Sequence, residues 1–303
     1  MPRDFDVDYK YLDDFVEFAR IEQESGDIEP WAALYRDLHL NSGLMDLERT
    51  HWLLTLHNTY DHLSSAWKVL MRWESPWVWE ADPRRDEAAD QLVYPIMSER
   101  RNLYGGKVLR RHHSYIGQMG DRSQDEWLRD SLLGISPEVD FQLLMERTRD
   151  VWGVGRQSAF EWAEFVAKVL DFPIHAPTAE LWESSGPRES LELLYGKAPN
   201  NEWLDAVADH ARGYLASAGV HLEWEDFETV VCDFKVMRKG RYYPGRHLAN
   251  LKEDIGTVPQ EYQPVFWDAW NRIVPEDWRE IPPGINKEYM PVYAKTGLIR
   301  SHA

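Results

Sequence analysis

From Leu44 to Trp73 the chain repeats large apolar side chains at helical spacing: Leu47, Trp52, Leu53, Leu56, Tyr60, Leu63, Ala66, Trp67 and Leu70. The spacing predicts a mostly buried helix ending before Ser75-Pro76, and a buried helix obliges the rest of the chain to cover it. The other periodic segments supply the cover. Tyr11, Phe15, Phe18 and Ala19 share one helical face, and Trp31, Leu34, Tyr35 and Leu38 share another after Pro30, a residue suited to a first turn. Both read as amphipathic surface helices. Lys107 to Tyr115, Pro137 to Val151, Gln157 to Leu170, Asn201 to Ala218 and Trp224 to Phe234 keep the same period. Pro76, Pro83 and Pro95 interrupt it, predicting a loop with a short helix from Arg85 to Val93. Strand signals are almost absent, so the expected fold class is all-α.

Charge narrows the function. The formal charge of the 303 residues is −18, and through Thr50 there are 13 Asp or Glu against 5 Lys or Arg. Such an excess repels polyanions at long range, so any grip on nucleic acid or an anionic membrane must be local. A single cysteine, Cys232, excludes a disulfide framework and fits a reducing compartment. No stretch approaches the ~18 apolar residues of a membrane span, and Met1 to Lys10 is acidic where a signal peptide is basic and then apolar. A soluble protein without membrane partners is expected. Composition divides the chain into an acidic start (1–43), a helical core (44–256) and a tail rich in Pro and aromatics (257–303).

Two features suit an anion. The first is Trp152-Gly153-Val154-Gly155 between two helices over 137–170. Glycines let such a hairpin tighten, while its amides and the following helix dipole hold one phosphate without reading sequence; a plain tight turn would have the same pattern. Gly153, Val154, Gly155, Gln157 and Ser158 are therefore the candidate DNA-binding residues. The second feature is a pair of basic islands. One runs Glu99-Arg100-Arg101 through Gly105-Gly106-Lys107 to Arg111, and the other carries Lys235, Arg238, Lys239, Arg241, Arg246 and Lys252. Forked guanidiniums beside a glycine pair suit a phosphate or pyrophosphate.

The segment Val151 to Ile174 resembles the helix-hairpin-helix DNA glycosylases. Gln157 stands where those enzymes carry a Lys, and Pro177 where they carry an Asp, so excision by their usual route is disfavoured. The order of motifs from Glu99-Arg100-Arg101 through the hairpin, Pro187-Arg188 and Glu228 to Lys235, into Gly240 to Gly245, resembles the bacteriophage amino acid:DNA transferases, also called α-glutamyl/putrescinyl thymine pyrophosphorylases. The resemblance covers roughly Trp52 to Ile255 and implies an all-α, helix-hairpin-helix glycosylase-like fold with a C-terminal extension.

It also implies a reaction of thymine hypermodification. The amine of a free amino acid displaces pyrophosphate from 5-(pyrophosphoryloxymethyl)deoxyuridine in double-stranded DNA, in the cytoplasm of an infected bacterial host. Cations must meet the charge building on pyrophosphate; Arg100, Arg101 and Lys107 are the candidates, with Lys235 and Arg241 for the opposite side or the amino-acid carboxylate. A base must deprotonate the amine, for which Glu99, Glu228, Asp233 and His57 are available, and Cys232 is a candidate to add to the pyrimidine ring. Trp52 and Trp152 are candidates to stack on an extruded base. No metal or other cofactor is required, though Mg²⁺ on pyrophosphate is compatible. Two other readings fit the residues: a glycosylase-like base-excision enzyme with displaced catalytic groups, and a non-catalytic reader of modified DNA.

Overall fold

The computed structural model describes residues 9–86, 106–181, 184–240 and 242–280, and all regular structure among them is helical. In chain order the α-helices are α1 (Tyr9–Ser25), α2 (Pro30–Asn41), α3 (Leu47–Tyr60), α4 (Leu63–Arg72), α5 (Pro76–Ala81), α6 (Gly106–Met119) and α7 (Gln124–Arg129). They continue as α8 (Pro137–Arg149), α9 (Arg156–Leu170), α10 (Ser185–Tyr195), α11 (Asn201–Ser217), α12 (Trp224–Arg238), α13 (Arg246–Thr257) and α14 (Gln263–Ile273). No described helix is long and apolar enough to cross a membrane. The helix expected over Arg85 to Val93 falls almost wholly outside the described residues, and a helix stands at Pro76–Ala81, where a loop was expected; Ser75 caps it and Pro76 fits its first turn.

The chain divides into two compact units, residues 31–175 with 251–273, and residues 1–30 with 176–250 and 274–303. The three consecutive segments read from composition are each distributed over both.

In the 31–175 unit the single long helix expected from Leu44 to Trp73 is two. Asp61 takes a left-handed backbone (φ 50), its N–H closing α3 on the His57 carbonyl, and His62 then caps α4 by accepting from the Ser65 N–H. No Gly or Pro marks the break, because a short polar Asp tolerates this conformation and an imidazole replaces the usual Ser or Thr cap. The apolar period runs through the bend unchanged, which is why it reads as one helix.

α3 is the centre of this unit: every residue from Thr50 to Tyr60 is buried. Its hydroxyls return to its own carbonyls, Thr55 to His51 and Thr59 to Thr55. Trp52 is fully buried, its Nε1–H donating to the Trp73 carbonyl at 2.9 Å and its ring parallel to Tyr115. It is a core residue and cannot stack on a DNA base. Asn58 does the linking: its amide donates to the Ser158 carbonyl of α9 at 2.8 Å, and its Oδ1 accepts from the buried Arg111 guanidinium of α6. Arg111 therefore leaves the basic island for the interior, as does its neighbour His112, whose pKa burial pushes down to about 3, leaving a neutral ring against Trp52, Tyr60 and Trp79.

In the other unit α1 is amphipathic as expected, with Asp13, Gln23 and Glu24 exposed and its apolar face inside. Leu12, Phe15, Phe18 and Ala19 are fully buried, and Phe15 meets Phe227 and Phe234 of α12 edge-on. α10 and α11 complete this core with Leu191, Leu194, Leu204 and Val207.

Because Asn58 accepts from a buried guanidinium whose Nε and Nη1 have no hydrogen-bond partner, and donates to a carbonyl of α9, Asn58→Ala is expected to cost about 2–4 kcal/mol in urea unfolding. A loss below about 1 kcal/mol, within the range of an ordinary surface substitution, would show that the junction is not a structural support.

Candidate functional site

The hairpin belongs to the 31–175 unit. α8 ends at Arg149 with Asp150 as its C-cap; Val151 and Val154 turn inward, and the Val154 N–H closes on the Val151 carbonyl at 3.1 Å. Gly153 between them has φ 81, a left-handed backbone costly for any residue with a Cβ. Gly155 is the N-cap of α9 and supplies no side chain to its first turn. First-turn amides have no intrahelical acceptor and point, with the helix dipole, along the axis toward the hairpin. Gly153, Gly155 and Gln157 are exposed and Ser158 half-buried, while Val154 is a pin inside the turn. Of the five residues expected to bind DNA, Val154 has its side chain inside the turn and does not present it to a ligand.

α6 is fastened to this hairpin. The Trp152 N–H donates to Ser114 Oγ at 2.8 Å, and the Gln118 amide reaches the Asp150 carbonyl. The Arg110 guanidinium lies 4.3 Å from the Trp152 ring centroid, so one face of this half-buried indole is already covered by a cation. Lys107, one turn before Arg110, and Arg149, the last residue of α8, are exposed. Of these exposed cations Arg110 is in contact with the hairpin, and Lys107 and Arg149 are its neighbours along α6 and α8. Glu99, Arg100, Arg101 and Arg241 lie outside the described residues.

The 1–30/176–250 unit holds a buried acid cluster. Asp27 accepts from the Gly245 N–H and the Leu248 N–H, both at 2.6 Å, and from the Tyr242 hydroxyl at 2.8 Å. Its carboxylate thereby caps α13 from a distant part of the chain. Glu22 Oε2 is 2.9 Å from the same hydroxyl, and Glu22 Oε1 is buried without a hydrogen-bond partner. A hydroxyl with one hydrogen cannot donate to both acids, so one of them carries a proton. Burial, with Asp27 and Asp233 nearby, pushes the Glu22 pKa well up, while burial lifts Asp27 only to about 6 against its three donors. Glu22 is the protonated member.

Asp233 of α12 and His247 of α13 border this cluster. His247 Nδ1 donates to the Asp27 carbonyl at 3.1 Å, which fixes the tautomer, and Nε2 lies 3.7 Å from Asp233 Oδ2. A His held through one nitrogen beside a buried carboxylate can accept a proton and have the resulting charge stabilised. The sequence pointed to Asp233 but not to His247, Glu22, Asp27 or Tyr242, since nothing local ties residues 22–27 to 242–248.

The remaining candidates on α12 have other surroundings. Lys235 is largely buried, its Nζ 3.0 Å from Glu189, which also pairs with Lys239 at 3.1 Å. Those two cations hold the Glu189 pKa below the usual carboxylate range. Cys232 is half-exposed against Gly186, where an added Cβ would lie 2.9 Å from its Sγ. Glu228 is half-buried one turn before Cys232. His57 is buried, with Nδ1 2.7 Å from the Tyr35 hydroxyl, and belongs to the hairpin unit with Asp61 and Glu161 close by.

Residues 23–243 match the family described as Amino acid:DNA transferase. The match includes the hairpin, Asp27 and Asp233, and ends four residues before His247. No curated protein matches the chain.

Two measurements follow from these geometries. Gly155 has an extended backbone with open space around a Cβ, so Gly155→Asp gives α9 a good N-cap while placing a carboxylate where a phosphate would sit. The variant is expected to melt no lower than wild type and to bind duplex DNA roughly tenfold more weakly in fluorescence anisotropy, a difference of about 1.4 kcal/mol; unchanged DNA affinity would exclude the hairpin as the phosphate holder. For Glu22 the folded-state pKa exceeds the unfolded one, so its stabilising contribution is present below the unfolded value and lost as pH rises through the folded value. Glu22→Gln supplies permanently what the protonated acid supplies, and its Tm is expected to exceed wild type at pH 8 and converge with it near pH 5. A constant difference across that range would mean that Glu22 does not hold the proton.

Proposed function

The chain belongs to the amino acid:DNA transferase family, and from that premise we propose that it displaces pyrophosphate from 5-(pyrophosphoryloxymethyl)deoxyuridine in DNA with the amine of a free amino acid. The ammonium gives a proton to a base, the exposed lone pair forms a C–N bond at the exocyclic carbon, and the C–O electron pair leaves with pyrophosphate. Such DNA is the product of a bacteriophage programme, which sets the reaction in the cytoplasm of an infected bacterium.

What supports the DNA half of the reading is the uncapped amino terminus of α9 beside exposed Lys107, Arg110 and Arg149, in a chain of charge −18. A phosphate held there by amides and a few cations needs no broad basic face. For the base, the reading takes His247 as the proton acceptor at Nε2, with Asp233 beside it to balance the imidazolium. The Nδ1 hydrogen bond to the Asp27 carbonyl keeps the ring from turning. Arg100, Arg101 and Lys107 are assigned to the leaving pyrophosphate; Lys235, already paired with Glu189, is a weaker choice. Trp152 is the wall offered to an extruded base, on the face away from Arg110.

The test is direct. The protein is mixed with duplex carrying the pyrophosphorylated base and each amino acid in turn, and the DNA is digested and its nucleosides weighed. An amino-acid adduct with equimolar pyrophosphate is expected; abasic sites, or DNA binding without either product, would contradict the proposal. His247→Asn is expected to lower kcat about 10²-fold and to remove the acidic limb of the pH–rate profile. An unaltered profile would assign the base elsewhere.

A further inference from the structure

The fold brings together three side chains of metal-ligating type. His57 and Asp61 stand four apart at the end of α3, and Glu161 comes from α9; each offers one ligand atom, and these lie within 4.8 Å of one another. The Tyr35 hydroxyl occupies His57 Nδ1 at 2.7 Å, orienting the imidazole as outer-shell partners orient metal-binding histidines. The rings of Tyr35, Phe165 and Trp31 surround this imidazole at centroid distances of 5.1, 5.3 and 6.3 Å, a dry wall on the protein side. Asp61 and Glu161 are half-exposed, so the cluster is open on the other side.

We propose that His57, Asp61 and Glu161 bind a divalent transition cation, Mn²⁺ or Zn²⁺, leaving positions open to water or a phosphate oxygen. One imidazole with two carboxylates suits these ions; Ca²⁺ and Mg²⁺ prefer oxygen alone, and Mg²⁺ keeps most of its water. Glu161 follows the exposed Gln157 by four residues on α9, so the ion would sit about 6 Å along the helix from the first-turn amides. It would add positive charge beside the hairpin in a chain whose net charge opposes DNA. The inference rests on these residues alone, so its failure leaves the transferase reading intact.

Chelator-treated full-length protein is titrated with Mn²⁺ at physiological ionic strength with excess Mg²⁺, following the signal of the unbound ion by electron paramagnetic resonance. Zn²⁺ is measured by competition with a chromophoric chelator. One ion per chain is expected for at least one of the two metals. Asp61→Asn, whose amide side chain keeps the left-handed backbone accessible, and Glu161→Gln are each expected to weaken binding roughly tenfold or more. Glu146→Gln, on the exposed face of α8, should leave it unchanged. Circular dichroism confirms folding, and if one ligand variant fails to fold the other decides. Absence of stoichiometric binding of both ions, or wild-type affinity in the folded ligand variants, would overturn the assignment.

Discussion

A buried guanidinium and a helix carbonyl share one side chain, and the hairpin depends on it. Asn58 accepts from Arg111 and donates to Ser158, so α3, α6 and the first turn of α9 are fixed against one another at a single polar junction. Arg111 is removed from water with its Nη2 on Asn58 and its Nε and Nη1 without hydrogen-bond partners, so the loss of Asn58 would leave a costly buried charge still less satisfied. The same junction aims the amino terminus of α9, and α6 reinforces it through Ser114 and Gln118. Surface cations then need only flank a loop that is already set.

The other unit meets the opposite difficulty, an excess of buried acid. Asp27, ionised by its backbone donors, caps α13 and holds residues 242–248 in place; Glu22 beside it remains protonated because three carboxylates cannot all be charged in so small a volume. Tyr242 joins the two. The outcome is a fixed His247 next to Asp233, with its proton position determined by a main-chain carbonyl.

Much of the fold was legible because amphipathic periodicity is local. The helices expected over 137–151, 157–170 and 201–218 stand at 137–149, 156–170 and 201–217. The break at Asp61 was not legible, since the apolar stripe crosses it and the cap is a His. Of the site, the hairpin glycines were readable from their type and spacing, whereas Arg111 read as part of a basic island and Trp52 read both as core and as a base-stacking candidate; both are interior, a distinction that depends on tertiary burial. His247 and Glu161 were invisible for the complementary reason: their partners lie far away in sequence, at Asp27 with Asp233 and at His57 with Asp61.

The central physical claim is that an acidic chain holds DNA at one small, pre-aimed site. The salt dependence of binding to plain duplex tests it most directly. With Lys107, Arg110 and Arg149 as the phosphate neighbours, log Kobs should fall against log[salt] with a slope of about −3, at roughly −0.9 for each neutralised phosphate. A slope of about −6 or steeper would reveal a broad cationic surface, and salt-resistant binding would remove the electrostatic site altogether; either result would contradict the account.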